Sequence, residues 1–224
     1  MKVLGGLRAY ARLLRPNRSV MVATVTGTGA MMVSGDVRRS LLAALVGWLL
    51  AVGGFSLDFH ADRAVDAAGP RALVRRNPLA DGTLPPAAGL AFSLVFLAAG
   101  LTGIGLLSAA ALLPAALIAA IVAGLALHWL EGAIARALTL GALQALYLLL
   151  GAVLGGGPQG ASRPAVLILA GMFFFAMAGG RGMIDIRDFP VDEPGPVRTL
   201  PKRLGVRTTA VLTAVCLHAA FALS

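Results

Sequence analysis

The chain has 224 residues, 58% of them hydrophobic and only 13% charged, with a mean hydropathy of +0.85. Ordinary soluble domains carry about 25% charged residues, so the composition excludes one and predicts an integral membrane protein whose apolar runs span a bilayer. A net charge of +9 would suggest nucleic acid in a soluble protein, but in a membrane protein Lys and Arg gather on the cytoplasmic side, so no nucleic-acid partner is expected.

Residues 1–18 place Lys2, Arg8, Arg12, Arg15 and Arg18 among Leu4, Leu7, Tyr10, Ala11 and Leu14 at helical spacing. That is the pattern of an interfacial amphipathic helix. A basic stretch before an apolar run also suits a signal peptide, but the many spans beyond it favour an uncleaved helix. Pro16 interrupts, and spans are predicted over 19–35 and 39–57. A loop then carries Arg71, Arg75, Arg76, Asn77, Pro78 and Asp81 to Pro85 and Pro86. Spans three and four occupy 87–107 and 110–129, and His128, Trp129, Glu131 and Arg136 mark the next interface. Span five covers 137–154 and ends in a glycine-rich turn around Pro158. Span six covers 164–179, and a seventh follows Arg207. The expected fold class is all-α: one polytopic transmembrane helix bundle over 1–224, with the interfacial helix 1–18 and acidic cap loops at 58–86 and 181–207. The single Cys216 excludes an internal disulfide and a cysteine metal site, and reads as a small core residue.

Charge placement orients the bundle. With the N-terminus inside, sixteen of the nineteen Lys and Arg fall in cytoplasmic segments, and only Arg38, Arg39 and Arg163 lie outside. The positive-inside rule therefore predicts a multi-pass protein of the cell membrane with N-terminus and cap loops in the cytoplasm. A pattern of span, acid cluster, basic loop and span occurs twice, which suggests an internal pseudo-repeat.

The acids carry the chemistry. Asp58, Asp62 and Asp66 are four residues apart, and Asp185, Asp188 and Asp192 follow at i, i+3 and i+7. Each set shares one helical face. Like charges that close repel unless a cation lies between them, and oxygen ligands without His or Cys point to Mg²⁺. Solvated helix ends with nearby arginines are the bland alternative for either cluster alone. Two matched clusters on one side of the membrane, beside apolar spans, favour a site. Arg76 follows the first cluster; Arg198 and Lys202 follow the second. Carboxylate-held Mg²⁺ with Arg and Lys is a combination that grips phosphate groups. A polar head at the membrane boundary and an apolar interior for its tail describe a prenyl diphosphate.

The motifs Asp58-x3-Asp62-x3-Asp66, Pro78-Leu79-x-x-Gly82, Asp185-x-x-Asp188-x3-Asp192 and Arg198-Thr-Leu-Pro-x-x-Leu-Gly205 resemble the UbiA superfamily of intramembrane prenyltransferases. Leu14-Arg15-Pro16-Asn17 resembles its opening, and the likeness runs over about residues 6–210. It implies a helix bundle around a lateral cavity with an Mg²⁺-diphosphate site under a cytoplasmic cap, and transfer of a prenyl group to a lipid or aromatic acceptor. On this reading Asp58, Asp62, Asp66, Asp185, Asp188 and Asp192 ligate Mg²⁺, with Asp62, Asp66, Asp188 and Asp192 catalytic. Arg76, Arg198 and Lys202 hold the diphosphate, metal-assisted ionisation gives an allylic cation, and the acceptor captures it. The partners are the prenyl diphosphate, a hydrophobic acceptor such as geranylgeranylglyceryl phosphate, and membrane lipids. Three departures stand out. Asp58-Phe59 replaces the usual Asn-Asp, Asn77 replaces an arginine, and seven spans replace the usual nine, which leaves room for a homo-oligomer to close the bundle wall. A membrane terpene cyclase shares the first step, and a cation transporter is the rival from another class. Against transport, the span centres are almost free of charge, whereas ion paths place ionisable groups near mid-membrane. Among lesser candidates, His60 points to a face away from Asp58, Gln144 and Tyr147 share a face in span five, and Phe173, Phe174, Phe175 and His218 face lipid or the bundle interior.

Overall fold

The computed structural model describes residues 2–69, 76–130, 132–192 and 199–224, with side chains for 6–69, 76–130, 132–190 and 199–224. Every regular element among them is helical. Helix α1 is Lys2–Leu14, and Arg15 then adopts a left-handed conformation (φ 44°, ψ 57°). A non-glycine residue there is uncommon. Pro16 comes next, at the first position of α2, Pro16–Ser34, where its fixed φ and missing N–H suit a helix start. The basic N-terminal segment is thus broken at Arg15 rather than continuous to residue 18. Gly35, also left-handed, closes α2 by donating its N–H to the Met31 carbonyl, and Asp36 caps the next helix by accepting from the Arg38 N–H.

Helix α3, Val37–Ala68, has 32 residues and is therefore about 48 Å long, well beyond the ~30 Å apolar thickness of a bilayer. Its surplus turns carry Asp58, Asp62 and Asp66 on helix, past the predicted end at residue 57. The backbone hydrogen bonds do not stop where hydropathy falls. Helix α4 is Pro86–Leu107, and a 3₁₀ turn at Ala109–Ala111 leads into α5, Leu112–Ala126. Helix α6, Ala133–Ala161, runs through the predicted turn: Gly156 and Gly157 kink it, and helix resumes to Ala161. Helix α7 is Pro164–Asp192, α8 is the short Leu200–Leu204, and α9 is Val206–Ala222. By length and composition α3, α4, α6, α7 and the Ala109–Ala126 segment can cross a membrane, while α9 is a shorter apolar helix. Helices α2 and α9 lie at the first and seventh of the expected apolar runs but are not among those five.

Helix α2 is wedged between α3 and α6; α4 lies on α3, α7 on α6, and α9 on α7. The wedge depends on two glycines. A Cβ on Gly151 would overlap the Thr26 carbonyl oxygen, and one on Gly29 the Leu148 carbonyl oxygen. Helices touching backbone to backbone through small residues gain dispersion contact that lipid does not replace. Around that seam Val25, Leu50, Ile104, Ile118, Leu148 and Leu150 form the main core. Large apolar residues such as Val95, Leu106, Leu113 and Phe221 are exposed, as a lipid-facing surface requires. A second, smaller core of Ala9, Leu13, Phe59, Leu79 and Leu84 seats α1 on the end of α3 and on the 77–85 loop. The Ser56 hydroxyl donates to the Leu13 carbonyl at 3.2 Å and fixes that seat.

Candidate active site

The first acidic wall is the last three turns of α3. Asp58 accepts from Arg15 Nη1 at 3.0 Å. The Arg15 guanidinium also lies 4.2 Å from the centre of the Phe59 ring and 5.4 Å from that of Phe55, within cation–π reach of both. The left-handed break between α1 and α2 delivers it there. Asp66 accepts from Asn77 Nδ2 at 2.8 Å. Asn77 is fully buried and donates as well to the Phe59 carbonyl at 2.8 Å, while its own carbonyl accepts from the Leu79 N–H at 3.0 Å. Asn77 therefore clamps the cap loop onto α3. Asp62, between these two, makes no hydrogen bond or ion pair with any described residue. Its carboxylate feels Asp58 and Asp66 from its own helix, and Arg136 and His128 from the α5–α6 connection.

The second wall is the end of α7. Asp185 is buried, ion-paired with Arg181 Nη2 at 2.6 Å, and accepts from the Leu200 N–H at 3.1 Å. Its spacing puts it among the expected metal ligands; Oδ2 ties α7 to α8, while Oδ1 faces Arg181 on its own helix. Asp188 is more open and meets Arg187 through two bonds of 2.7 and 3.0 Å. It also feels Arg181 and Arg76. Arg76, which follows the first wall, thus lies within electrostatic reach of the second. The Asp192 side chain and Arg198 lie outside the described residues. Lys202 stands on α8 beside Leu200.

Several arginines from separate segments come within electrostatic reach of one another here. Arg18 lies within electrostatic reach of Arg15, Arg76 and Arg181, with Asp58 opposing them. Arg15 feels Arg76 in turn. Four guanidinium groups gathered this closely repel one another, and a multiply charged anion would relieve them through bidentate hydrogen bonds. Sequence reasoning named Arg76 alone of the four. Arg15, Arg18 and Arg181 belong to other segments and arrive only through tertiary packing. The one signal was Arg15-Pro16 itself, a bend ahead of the first span.

The rim is pinned by Asp81, which accepts from Arg12 at 2.7 Å and from the Thr83 N–H at 2.9 Å; the Thr83 hydroxyl also donates to it. Partial burial pushes the Asp81 carboxyl up, but the Thr83 and Arg12 hydrogen bonds outweigh this and hold it below its ordinary value. Among the described residues no three His, Cys, Asp or Glu side chains converge on one point that could hold an ion. This suits Mg²⁺, which is commonly held by one or two carboxylates with substrate phosphates and water supplying the rest. Asp62 and Asp188 are the acids of the two clusters least engaged with other elements.

The model of the UbiA prenyltransferase family matches residues 20–224. The fold is similar to a digeranylgeranylglyceryl phosphate synthase at 22% identity and a TM-score of 0.77, covering 98% of this chain and 76% of that one. It is similar to the apo form of a UbiA homolog from Aeropyrum pernix K1 at 21% identity and a TM-score of 0.78, covering 92% and 77%. A UbiA homolog from Archaeoglobus fulgidus, bound to GPP and Mg²⁺, matches at 16% identity and a TM-score of 0.72, covering 96% and 78%. Among curated proteins none matches the sequence.

Proposed function

The chain belongs to the UbiA prenyltransferase family, and from that premise we propose that it moves a prenyl group from a prenyl diphosphate to a hydrophobic acceptor at the cytoplasmic face of the membrane. The observation that supports this is the set of Arg15, Arg18, Arg76 and Arg181, within electrostatic reach of one another and of Asp58 and Asp188. An arrangement of anion holders beside cation holders suits a diphosphate that arrives with a divalent metal. GPP with Mg²⁺ is what the Archaeoglobus homolog binds, and it is the chemistry assigned here.

Asp62, Asp66, Asp188 and Asp192 are the proposed metal-side ligands, and Arg15, Arg18, Arg76, Arg181, Arg198 and Lys202 the diphosphate-side groups. Asp58 and Asp185 orient Arg15 and Arg181 through their ion pairs. Bound Mg²⁺ would neutralise charge that develops on the departing diphosphate. The arginines do the same from the other side, and in a site that excludes water their effect is larger than in solution. The apolar interior receives the prenyl tail and keeps water from the reacting carbon. The C1–O bond to diphosphate breaks, a bond from C1 to the acceptor forms, and the acceptor gives up a proton. A lipid acceptor of the geranylgeranylglyceryl phosphate type is the proposed partner, a class that the structural likeness to a digeranylgeranylglyceryl phosphate synthase brings forward.

The test is diphosphate release by purified protein in Mg²⁺ with geranylgeranyl diphosphate, with and without that acceptor. Release should be slow alone and rise sharply with the acceptor, because productive turnover needs the nucleophile beside C1. Fast release without acceptor, yielding a cyclic hydrocarbon or alcohol, would make the protein a cyclase. No release under either condition would remove the enzyme reading and leave transport.

A further inference from the structure

At the end of the bundle opposite the acids, the first turn of α3, the end of α4 and the kink of α6 enclose a cavity of about 310 Å³. Arg39 and Asp66 stand on one helix, 27 residues apart, which is about 40 Å along its axis. That is close to the full thickness of a bilayer with its headgroups, so the cavity sits at headgroup depth on the far surface. Its lining is divided. Arg39, Ser108 and the Gly155–Gly157 backbone are polar, while Leu42, Leu107 and Leu154 are apolar.

The backbone there is built for a partner rather than for a plain helix. Gly156 (φ −152°, ψ 23°) and Gly157 (φ 69°, ψ −170°) leave the helical region. Pro158 brings no N–H to the carbonyl four residues back, that of Leu154, which lines the cavity. Arg39 Nη1 reaches across from α3 to donate to the Gly155 carbonyl at 3.3 Å. Its guanidinium also lies 3.8 Å from Asp36 and remains largely exposed. The Ser108 hydroxyl makes no hydrogen bond with a described residue. Arg38, Arg39 and Arg163 against Asp36 leave this rim positively charged, and Arg163 is held over α2 by its bond to the Val33 carbonyl at 3.2 Å.

We propose that this cavity binds the headgroup of one anionic glycerophospholipid from the far leaflet. The phosphate would accept from Arg39 and Ser108, a headgroup hydroxyl would donate to the Leu154 carbonyl, and the upper acyl chain would lie against Leu42 and Leu107. The positive rim selects an anionic lipid over a choline lipid, whose ammonium it repels. The site is independent of the proposed transferase activity, since none of these residues belongs to the acidic walls.

Native mass spectrometry of the full chain, released from nanodiscs of mixed phosphatidylglycerol and phosphatidylcholine, tests this. The wild type should retain one phosphatidylglycerol and little phosphatidylcholine. Arg39→Gln should lower that retention about fivefold, the factor that one arginine at a membrane surface commands, and Arg39→Lys should restore most of it. Ser108→Trp, which fills the cavity and leaves Arg39 in place, should abolish it and covers the case that Arg39→Gln unfolds. Equal retention of the two lipids, or unchanged retention in both Arg39→Gln and Ser108→Trp, would overturn the proposal. So would displacement of the lipid by millimolar inorganic phosphate, which would make the cavity a site for the free anion.

Discussion

Asn77 makes three hydrogen bonds from full burial, to Asp66, to the Phe59 carbonyl and from the Leu79 N–H. An arginine at that place would be too long for this pocket and would bring a charge; the amide supplies a donor pair and an acceptor at short reach. Asn77→Ala removes all three bonds and leaves the buried Leu79 N–H without its acceptor, and a buried group left unmade costs about 1–3 kcal/mol. Thermal unfolding should drop well below wild type, and Asn77→Asp should be worse because it sets a second carboxylate against Asp66. Asp62 is the opposite case. Among the described residues it has no hydrogen-bond or ion-pair partner to lose, and two like charges lie nearby, so Asp62→Asn should leave the unfolding temperature equal or higher while diphosphate release disappears. A parallel loss of stability would show that Asp62 is structural. Asp81 gives the pH dependence. Its native carboxyl is held low, so the clamp between α1 and the cap loop is fully present above the ordinary aspartate range and is lost as pH falls through the depressed value. Hydrogen exchange in residues 77–85 should therefore quicken only in acid, and Asp81→Asn should quicken it at neutral pH.

Helices were legible where hydropathy alone decides them, and the elements that escaped are those where backbone geometry overrides it. The apolar runs marked α4 and the start of α7 closely, but α7 runs on to Asp192, past the expected end at residue 179. Hydropathy alone stops the α3 span at residue 57, because a carboxylate ends a hydrophobic signal without ending a hydrogen-bond ladder; the four-residue spacing of Asp58, Asp62 and Asp66 is what carries the helix on toward Ala68. The apolar runs could not show that α6 kinks at Gly156 and Gly157 and then resumes, since Gly and Pro mark a break but do not say whether helix continues beyond it. Close packing of α2 on α6 was equally hidden, for a glycine's use depends on what it touches. Gly151→Val should push α2 from α6, with an overpacking cost of about 1–3 kcal/mol, seen as a lower unfolding temperature. Gly180→Ala is the matched control: a Cβ there would meet no atom within 4 Å, and alanine is the better helix former by roughly 0.5–1 kcal/mol. If both substitutions behave alike, close approach of α2 and α6 is not what holds the bundle together.

At the scale of the molecule, the acids of the site could be read from spacing, while its cations could not. Asp58, Asp62, Asp66, Asp185 and Asp188 are periodic within single helices, whereas the four arginines come from three separate segments: Arg15 and Arg18, Arg76, and Arg181. Their meeting requires that the N-terminal break, the 76–85 loop and the end of α7 all lie on one side of the membrane. The sequence bias of Lys and Arg places that side in the cytoplasm. Both requirements can be tested in a Cys216→Ala background. Thr83→Cys samples the rim beside Asp81, Arg203→Cys samples α8, and Ser162→Cys samples the exposed α6–α7 connection. A membrane-impermeant thiol reagent added to intact cells should label only Ser162→Cys, because α6 and α7 each run the bundle's length from opposite ends. Inside-out vesicles should reverse the result and label Thr83→Cys and Arg203→Cys together. If all three labels keep this division but with the sides exchanged, the fold stands and the cytoplasmic assignment is wrong. If Thr83→Cys and Arg203→Cys are labelled from opposite faces, the two acidic walls are a membrane apart, and no diphosphate could touch both.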